Sequence, residues 1–159
     1  MPELNNQNFN HLKIHTQYSI CEGAIKIDNL KDFCKEKKIP CLGLSDTSNL
    51  CGALEFAENI SKVGTQPIVG TQIYFRFEDT TGLLPLIALN ENGYKRIIEL
   101  SSRSYLENDA LSDPHLDIKE LLIDTEGVSL LSGTIQGLFG KLFEKGRLEE
   151  ISKLYKSLS

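Results

Sequence analysis

The chain has 159 residues, the size of one domain, and its composition of 40% hydrophobic and 25% charged residues is typical of a globular protein. The formal net charge of −5 argues against a free-standing nucleic-acid binder, because phosphate contacts require clustered lysine and arginine. No apolar run approaches the ~20 residues of a membrane-spanning helix. The polar N-terminus does not resemble a signal peptide, and four widely spaced cysteines without a C-x-x-C pair predict reduced thiols in a cytoplasmic protein.

Short apolar runs alternate along the chain with longer segments of helical periodicity. The predicted strands are 11–15, 41–45, 67–77, 83–89 and 127–133. The predicted helices are 27–38, with Asp28 as N-cap, then 51–63, 90–106, 118–123, 134–146 and 147–158. Gly70 allows a kink or bulge within the third strand segment. Strands that alternate with helices predict a parallel or mostly parallel α/β sheet.

Functional side chains in such sheets lie at the C-terminal ends of the strands. His15 ends the first predicted strand, Asp46 follows the second, and Gln72 follows "PIVG", so we expect these residues to converge. His11, Lys13 and His15 alternate along the first strand and therefore share one of its faces. Two imidazoles on one face suit a metal, but a lysine stands between them. The strand by itself is compatible with a metal site, a degenerate metal site or an ordinary strand.

Four segments occur in the order and with the spacing of one known family. They are "FNHLKIHTQYSICEGAIKI", "PCLGLSDTSNLCGALEF", "QPIVGTQIYF" and "LIALNENGYKRIIELSS". Together they resemble the N-terminal polymerase-and-histidinol-phosphatase (PHP) domain of bacterial DNA polymerase III alpha subunits, from Phe9 to the end of the chain. The resemblance implies a distorted (β/α)7 barrel. We expect residues 1–159 to be the N-terminal portion of such a PHP domain, a partial barrel with a mostly parallel sheet that is unclosed in this chain.

The resemblance also implies a cluster of up to three metal ions and identifies its ligand positions. In the first motif, H-L-H-x-H-[ST]-x-[YF]-S, His15 matches one ligand and Lys13 replaces the other, while His11 matches a histidine outside the ligand pair. In the second motif, [ST]-D-H-G-N, Asp46 matches and Thr47 replaces a histidine. In the third, G-x-E-x-Y, Gln72 replaces a glutamate.

Each of the three replacements weakens metal binding for its own reason. Lys13 adds a positive charge and has no lone pair while it is protonated. Gln72 lacks the carboxylate charge, and Thr47 is a weak neutral ligand. Zinc sites usually have three or four protein ligands, and only His15 and Asp46 remain. We therefore predict vestigial ligand positions, no catalytic residue and no cofactor, with one Zn or Mn ion held partly by residues outside this chain as the alternative.

Structural interpretations of the same residues stay open. His15 could be a hydrogen-bonded rim histidine, and Asp46 a loop or capping residue. A compensating ion pair between Lys13 and Asp46 is a further hypothesis. His115, in a proline-containing loop, is expected to be exposed. The glycines of 132–140 lack the G-x-x-x-x-G-K-[ST] pattern and predict a strand-to-helix turn.

The resemblance places the chain in a DNA-directed DNA polymerase of replication, whose polymerase active site lies further along the polypeptide. We expect this portion to be inactive and structural. Its implied partners are the rest of the subunit, a proofreading exonuclease subunit in some relatives, and DNA only through the full-length protein. The alternatives are a metal-dependent phosphoesterase or 3′–5′ proofreading exonuclease, in which metal-activated water attacks a phosphodiester, and an unrelated small-molecule enzyme. An unclosed barrel exposes a strand edge, which predicts either a dimer or an open sheet.

Overall fold

The computed structural model describes residues 9–109 and 111–158. The strands are β1 (His11–Ile14), β2 (Cys41–Leu44), β3 (Asp46–Thr47), β4 (Gln66–Ile68), β5 (Gly70–Phe77), β6 (Thr80–Ala88), β7 (Leu116–Asp117) and β8 (Val128–Leu130). The helices are α1 (Ile27–Lys37), α2 (Ala53–Ser61), α3 (Glu91–Leu106), α4 (Ile118–Ile123), α5 (Leu138–Glu144) and α6 (Leu148–Leu158). The predicted alternation of strands and helices is therefore confirmed.

The strands form two sheets. One has the order β1-β2-β4, and all of its strands are parallel. The other has the order β3-β5-β6-β8, with β7 also paired to β5. In that sheet β3 and β7 run parallel to β5, whereas β6 is antiparallel to both β5 and β8. The predicted α/β fold with mostly parallel pairing is confirmed, and the strands described in the structure do not close into a barrel.

The segment predicted as one strand with a kink, 67–77, is divided between the two sheets. Val69 separates β4 from β5, and Gly70 begins β5 against β6. A Cβ atom on Gly70 would lie 2.3 Å from the Leu86 carbonyl oxygen, so glycine permits this close approach.

The second difference is the strand predicted at 83–89, which starts at Thr80. A two-residue connection joins it to β5, and so short a link allows only antiparallel pairing.

The hydrophobic core is in two parts. In the larger part, one face of the β5–β6 hairpin packs on α3, α4 and α5, and its members include Ile73 and Phe75, which are fully buried. The smaller part packs α1 and α2 on β2, around Leu42, Leu44 and Phe56. Because side chains alternate along a strand, the burial of Ile73 and Phe75 against the helices leaves Gln72 on the opposite face of β5.

Two further predictions concern the ends of the chain's elements. Asp28, predicted as the N-cap of the first helix, lies inside its first turn. The helix begins at Ile27, the residue before Asp28, and its N-cap is Lys26. The polar residues 1–8 lie outside the part of the chain that the structure describes. Within 9–109 and 111–158, no helix has the length and apolar character needed to cross a membrane.

Candidate functional site

Two of the three residues predicted at the strand ends, His15 and Gln72, meet at one pocket, whereas Asp46 does not line it. Lys13, His15, Glu22 and Gln72 line one pocket of about 230 Å³. Its remaining walls come from β6 and from the loop after β8; they are Leu83, Pro85, Gly133, Thr134, Gln136 and Gly137. The pocket thus lies between the first sheet, which carries Lys13, and the second, which carries Gln72.

Asp46 lies behind this pocket as a buried hydrogen-bond acceptor. Its side chain is completely buried. Oδ1 accepts hydrogen bonds from the Thr16 backbone N–H at 2.6 Å and from the Ser19 hydroxyl at 2.7 Å, and Oδ2 accepts one from the Thr16 hydroxyl at 2.7 Å. Both oxygens are therefore engaged in holding the loop that follows β1.

Thr47 and Gln72, two of the replaced ligand positions, are directly paired. They are opposite each other in the parallel register of β3 and β5. The Gln72 Nε2 group donates to the Thr47 hydroxyl oxygen at 2.7 Å, and the Thr47 hydroxyl in turn donates to a carboxylate oxygen of Glu22. Gln72 is only 2% exposed, and its Oε1 atom has no hydrogen-bond partner among the described residues.

His15 and Lys13 complete the predicted set. His15 is half-buried, and its Nδ1 atom is buried without a hydrogen-bond partner in the described part of the chain. Lys13 is exposed, and none of the described carboxylates forms an ion pair with it within 4.0 Å. The hypothesis of a Lys13–Asp46 ion pair is therefore wrong, because the Asp46 oxygens accept from uncharged groups of the loop instead.

The other two histidines lie apart from the pocket. His11 is exposed at the start of β1, and its ring packs edge-on against Phe9, with centroids 4.8 Å apart. His115 is half-buried rather than exposed, and its Nδ1 atom lies 2.8 Å from the Asp113 carbonyl oxygen. That contact fits a local turn in the predicted loop.

Glu22 is a pocket residue that the sequence analysis did not single out. It lies in the loop after β1, where Cys21 has a φ of 66° and turns the chain. Its carboxylate accepts the Thr47 hydroxyl and faces the same pocket as Gln72. The available signal was a lone carboxylate in a turn-rich loop directly after a strand end, which is a common pattern on protein surfaces.

The donor set does not fit the metal cluster that the resemblance implies. The Asp46 oxygens already accept three hydrogen bonds, and a metal ion would have to displace buried donors to reach them. Lys13 brings a positive charge to the pocket wall, which opposes a cation. Glu22 is the one carboxylate among the residues that line the described pocket, and the other lining side chains with possible ligand atoms are His15, Gln72, Thr134 and Gln136.

Solved structures share the fold of this chain. A putative metal-dependent phosphoesterase from Bifidobacterium adolescentis aligns with a TM-score of 0.50 and 16% identity, over 61% of this chain and 33% of that one. An amidohydrolase from Chromobacterium violaceum aligns with a TM-score of 0.50 and 15% identity, over the same shares of the two chains. At these identities the likeness concerns the fold alone.

Relatives found by sequence have higher identities to this chain than these two solved structures have. DNA polymerase III subunit alpha of Caulobacter vibrioides is 37% identical over 96% of this chain and 14% of its own length. The proteins of that name from Rickettsia felis and Vibrio cholerae are 34% and 31% identical, over 92% and 91% of this chain. The chain spans only 12 to 14% of the length of these relatives. The PHP domain family matches residues 11–159. This chain belongs to the PHP domain family and is homologous to the N-terminal region of DNA polymerase III alpha subunits.

Proposed function

We propose that this chain is the N-terminal portion of a PHP domain within a DNA polymerase III alpha subunit. In this proposal it serves DNA replication as a structural scaffold and has no metal centre or catalytic residue of its own. The identity of 31 to 37% with alpha subunits over nearly the whole chain supports the assignment to that subunit. The scaffold role is supported by the site itself.

One observation carries the scaffold role: the two oxygens of Asp46 bind the loop after β1. Three hydrogen bonds to a buried carboxylate are strong, because charged acceptors form stronger hydrogen bonds than neutral ones. A residue at a ligand position of the family is thus used to fix the first sheet to the second. Together with Lys13 at another ligand position, this use of Asp46 favours structural stabilisation over metal chemistry.

The proposed partners follow from the assignment. They are the rest of the polymerase alpha subunit, the proofreading exonuclease subunit, and DNA through the full-length protein only, all in the cytoplasm. A dimer through an open strand edge is a separate prediction, and light scattering of this chain tests it. A single species at 17.8 kDa, the mass of one chain, would contradict the dimer.

The competing function is a metal-dependent phosphoesterase or 3′–5′ proofreading exonuclease. The observation in its favour is that His15, Glu22 and Gln72 line one pocket, where a single Zn or Mn ion could be held with further ligands from outside this chain. A metal ion bound there would activate water toward a phosphodiester.

Elemental analysis separates the two functions. The chain is purified without an affinity tag that binds metal, and Zn and Mn are measured alongside turnover of bis(p-nitrophenyl) phosphate with each metal added. We expect substoichiometric metal and no turnover above that of a chelator-treated sample. Stoichiometric Zn or Mn together with turnover would overturn the scaffold proposal in favour of the phosphoesterase.

The scaffold role itself is tested in the full-length subunit. Asp46→Asn is expected to shorten the half-life of polymerase activity at raised temperature while the initial elongation rate stays unchanged. The matched control is Asp32→Asn, which changes an exposed aspartate on α1. An unaltered half-life for Asp46→Asn would count against a stabilising role for this domain.

A further inference from the structure

The pocket at the strand ends contains polar atoms that the described residues leave unpaired. Gln72 is 2% exposed and lines the pocket, yet its Oε1 atom has no hydrogen-bond partner. The Nδ1 atom of His15, on the same pocket, is also buried without a partner. Buried polar atoms are nearly always hydrogen-bonded in native proteins. Gln72 and His15 both line the pocket, so a molecule bound there would lie next to the residues that carry the two unpaired atoms.

The charges of the pocket are opposite and separate. Lys13 and Glu22 both line it, but they form no ion pair with each other within 4.0 Å. One Glu22 oxygen accepts the Thr47 hydroxyl, which orients the carboxylate. Opposite charges that share a small pocket without pairing remain available to a ligand that carries both signs.

The chemistry of the four groups restricts that ligand. Glu22 is an anionic acceptor, and Gln72 and His15 line the same pocket, so the Glu22 side suits a group with several N–H donors. Lys13 is a cationic donor and suits a carboxylate. A simple anion would be repelled by the Glu22 carboxylate, and a metal cation would be repelled by the Lys13 ammonium group. A small zwitterion satisfies both.

We propose that this pocket binds a free α-amino acid. Its ammonium group would contact Glu22, its carboxylate would contact Lys13, and its side chain would lie against Leu83 and Pro85. The volume of about 230 Å³ lies below the ~300 Å³ at which pockets begin to accept drug-sized ligands. This site goes beyond the scaffold role, which needs no ligand.

The proposal is tested by calorimetric titration of this chain with each of the standard amino acids. Single-charge probes are titrated beside them: methylamine, acetate, inorganic phosphate and zinc chloride. We expect at least one amino acid to bind about tenfold more tightly than either methylamine or acetate, since it gains both ionic contacts. The same amino acid should shift the imidazole resonances of His15 and the side-chain amide resonances of Gln72 in NMR spectra.

Variants test the assignment of the two charges. Lys13→Met and Glu22→Gln, both at exposed positions, are each expected to weaken binding about tenfold. Lys35→Met and Glu36→Gln make the same changes on the exposed surface of α1 and should leave the affinity unchanged. Circular dichroism confirms the fold of every variant, and the NMR shifts on the native chain do not depend on any of them.

Several results would overturn the proposal. One is the absence of binding by every amino acid at about 10 mM, weaker than any affinity of use. Another is tighter binding of phosphate or zinc than of any amino acid, and a third is amino-acid binding that leaves His15 and Gln72 unshifted. The absence of binding and unshifted resonances leave the scaffold role untouched, whereas tight zinc binding would be followed by the turnover assay that tests that role.

Discussion

Both carboxylate oxygens of Asp46 accept hydrogen bonds from Thr16, one from its backbone N–H at 2.6 Å and the other from its hydroxyl at 2.7 Å. Thr16 follows β1 of the first sheet, and Asp46 begins β3 of the second. This contact therefore joins the ends of two strands that belong to different sheets.

Asp46→Asn is expected to lower the free energy of unfolding by about 3 kcal/mol, because hydrogen bonds to a charged acceptor contribute ~1.5–3 kcal/mol each and the amide cannot accept at both positions. Urea denaturation followed by circular dichroism measures the change. Asp32→Asn, on the exposed face of α1, is the matched control and should stay within about 0.5 kcal/mol of the native value. Equal stabilities for the two variants would refute the structural role of Asp46.

Gly43→Ala tests how closely the first two strands approach. A Cβ atom at Gly43 would lie 2.6 Å from Leu12 Cα and 2.7 Å from the Leu12 carbonyl oxygen. Because backbone atoms cannot rotate away, we expect a loss of about 2–3 kcal/mol in unfolding free energy. Displacement of β1 would also move Lys13 and His15, so any ligand of the pocket should bind more weakly.

Gly64→Ala is the control variant for Gly43→Ala. At Gly64 an added Cβ meets nothing within 4 Å, and the cost comes only from a φ of 80°, which is about 1 kcal/mol for a residue with a side chain. Thermal and urea denaturation of both variants should rank Gly43→Ala as the less stable. The reverse order would mean that β1 lies further from β2 than the structure shows.

The cysteines are expected to differ in reactivity. Cys34 is 1% exposed, and burial raises the pKa of its thiol, whereas Cys21 and Cys51 are exposed. The thiolate is the reactive species, so iodoacetamide should modify Cys21 and Cys51 first and Cys34 only when the chain unfolds. Peptide mass spectrometry over a time course measures the order. Modification of Cys34 as fast as the exposed pair would contradict its burial.

The same burial predicts a dependence of stability on pH. Since the folded state raises the pKa of Cys34, the neutral thiol contributes fully below the unfolded value of ~8.5. That contribution is lost as the pH rises from the unfolded value through the folded one. The unfolding free energy of Cys34→Ala should therefore fall less between neutral and alkaline pH than that of the native chain. If the unfolding free energies of the two proteins changed equally with pH, Cys34 would not contribute to the pH dependence of stability.

Restoring the family residues tests the loss of the metal site. The combined change Lys13→His, Thr47→His and Gln72→Glu supplies the three ligands that the resemblance identifies. We expect Zn to bind at least about tenfold more tightly than to the native chain, because one charge repulsion is removed and one carboxylate is gained. Competition with a chromophoric chelator measures the affinity.

The control for this variant makes the same three exchanges at exposed positions that do not line the pocket: Lys35→His, Thr125→His and Gln66→Glu. It should bind Zn no better than the native chain does. If the native chain already binds Zn as tightly as the restored variant, the proposal of a degenerate site is refuted.

The sequence predicted those features that depend on local periodicity. Ile97 and Leu100 have helical spacing, and both are buried on the inner face of α3. The convergence of His15 and Gln72 followed from one general property of parallel sheets, the shared edge of their strand ends. Ile98, directly after Ile97, is 41% exposed, since an i+1 neighbour of a buried helical residue points elsewhere.

Features that depend on distant partners could not be predicted in this way. The direction of the Asp46 carboxylate is set by hydroxyl and amide donors 27 and 30 residues away, and no local pattern identifies such a pair. The same holds for Glu22, whose role depends on Thr47 across 25 residues. The division of 67–77 between two sheets likewise depends on distant strands, since β4 pairs with β2 and β5 pairs with β3 and β6.

Two of the crossings between the sheets are single residues, whereas the return from β3 to β4 runs through α2. Ser45 links β2 to β3, and Val69 links β4 to β5. Lys13 belongs to the first sheet and Gln72 to the second, so the width of the pocket depends on the relative position of the two sheets. A molecule that bridged Lys13 and Gln72 would hold the two sheets in one relative orientation. Occupancy of the pocket and the relative orientation of the two sheets would then influence each other.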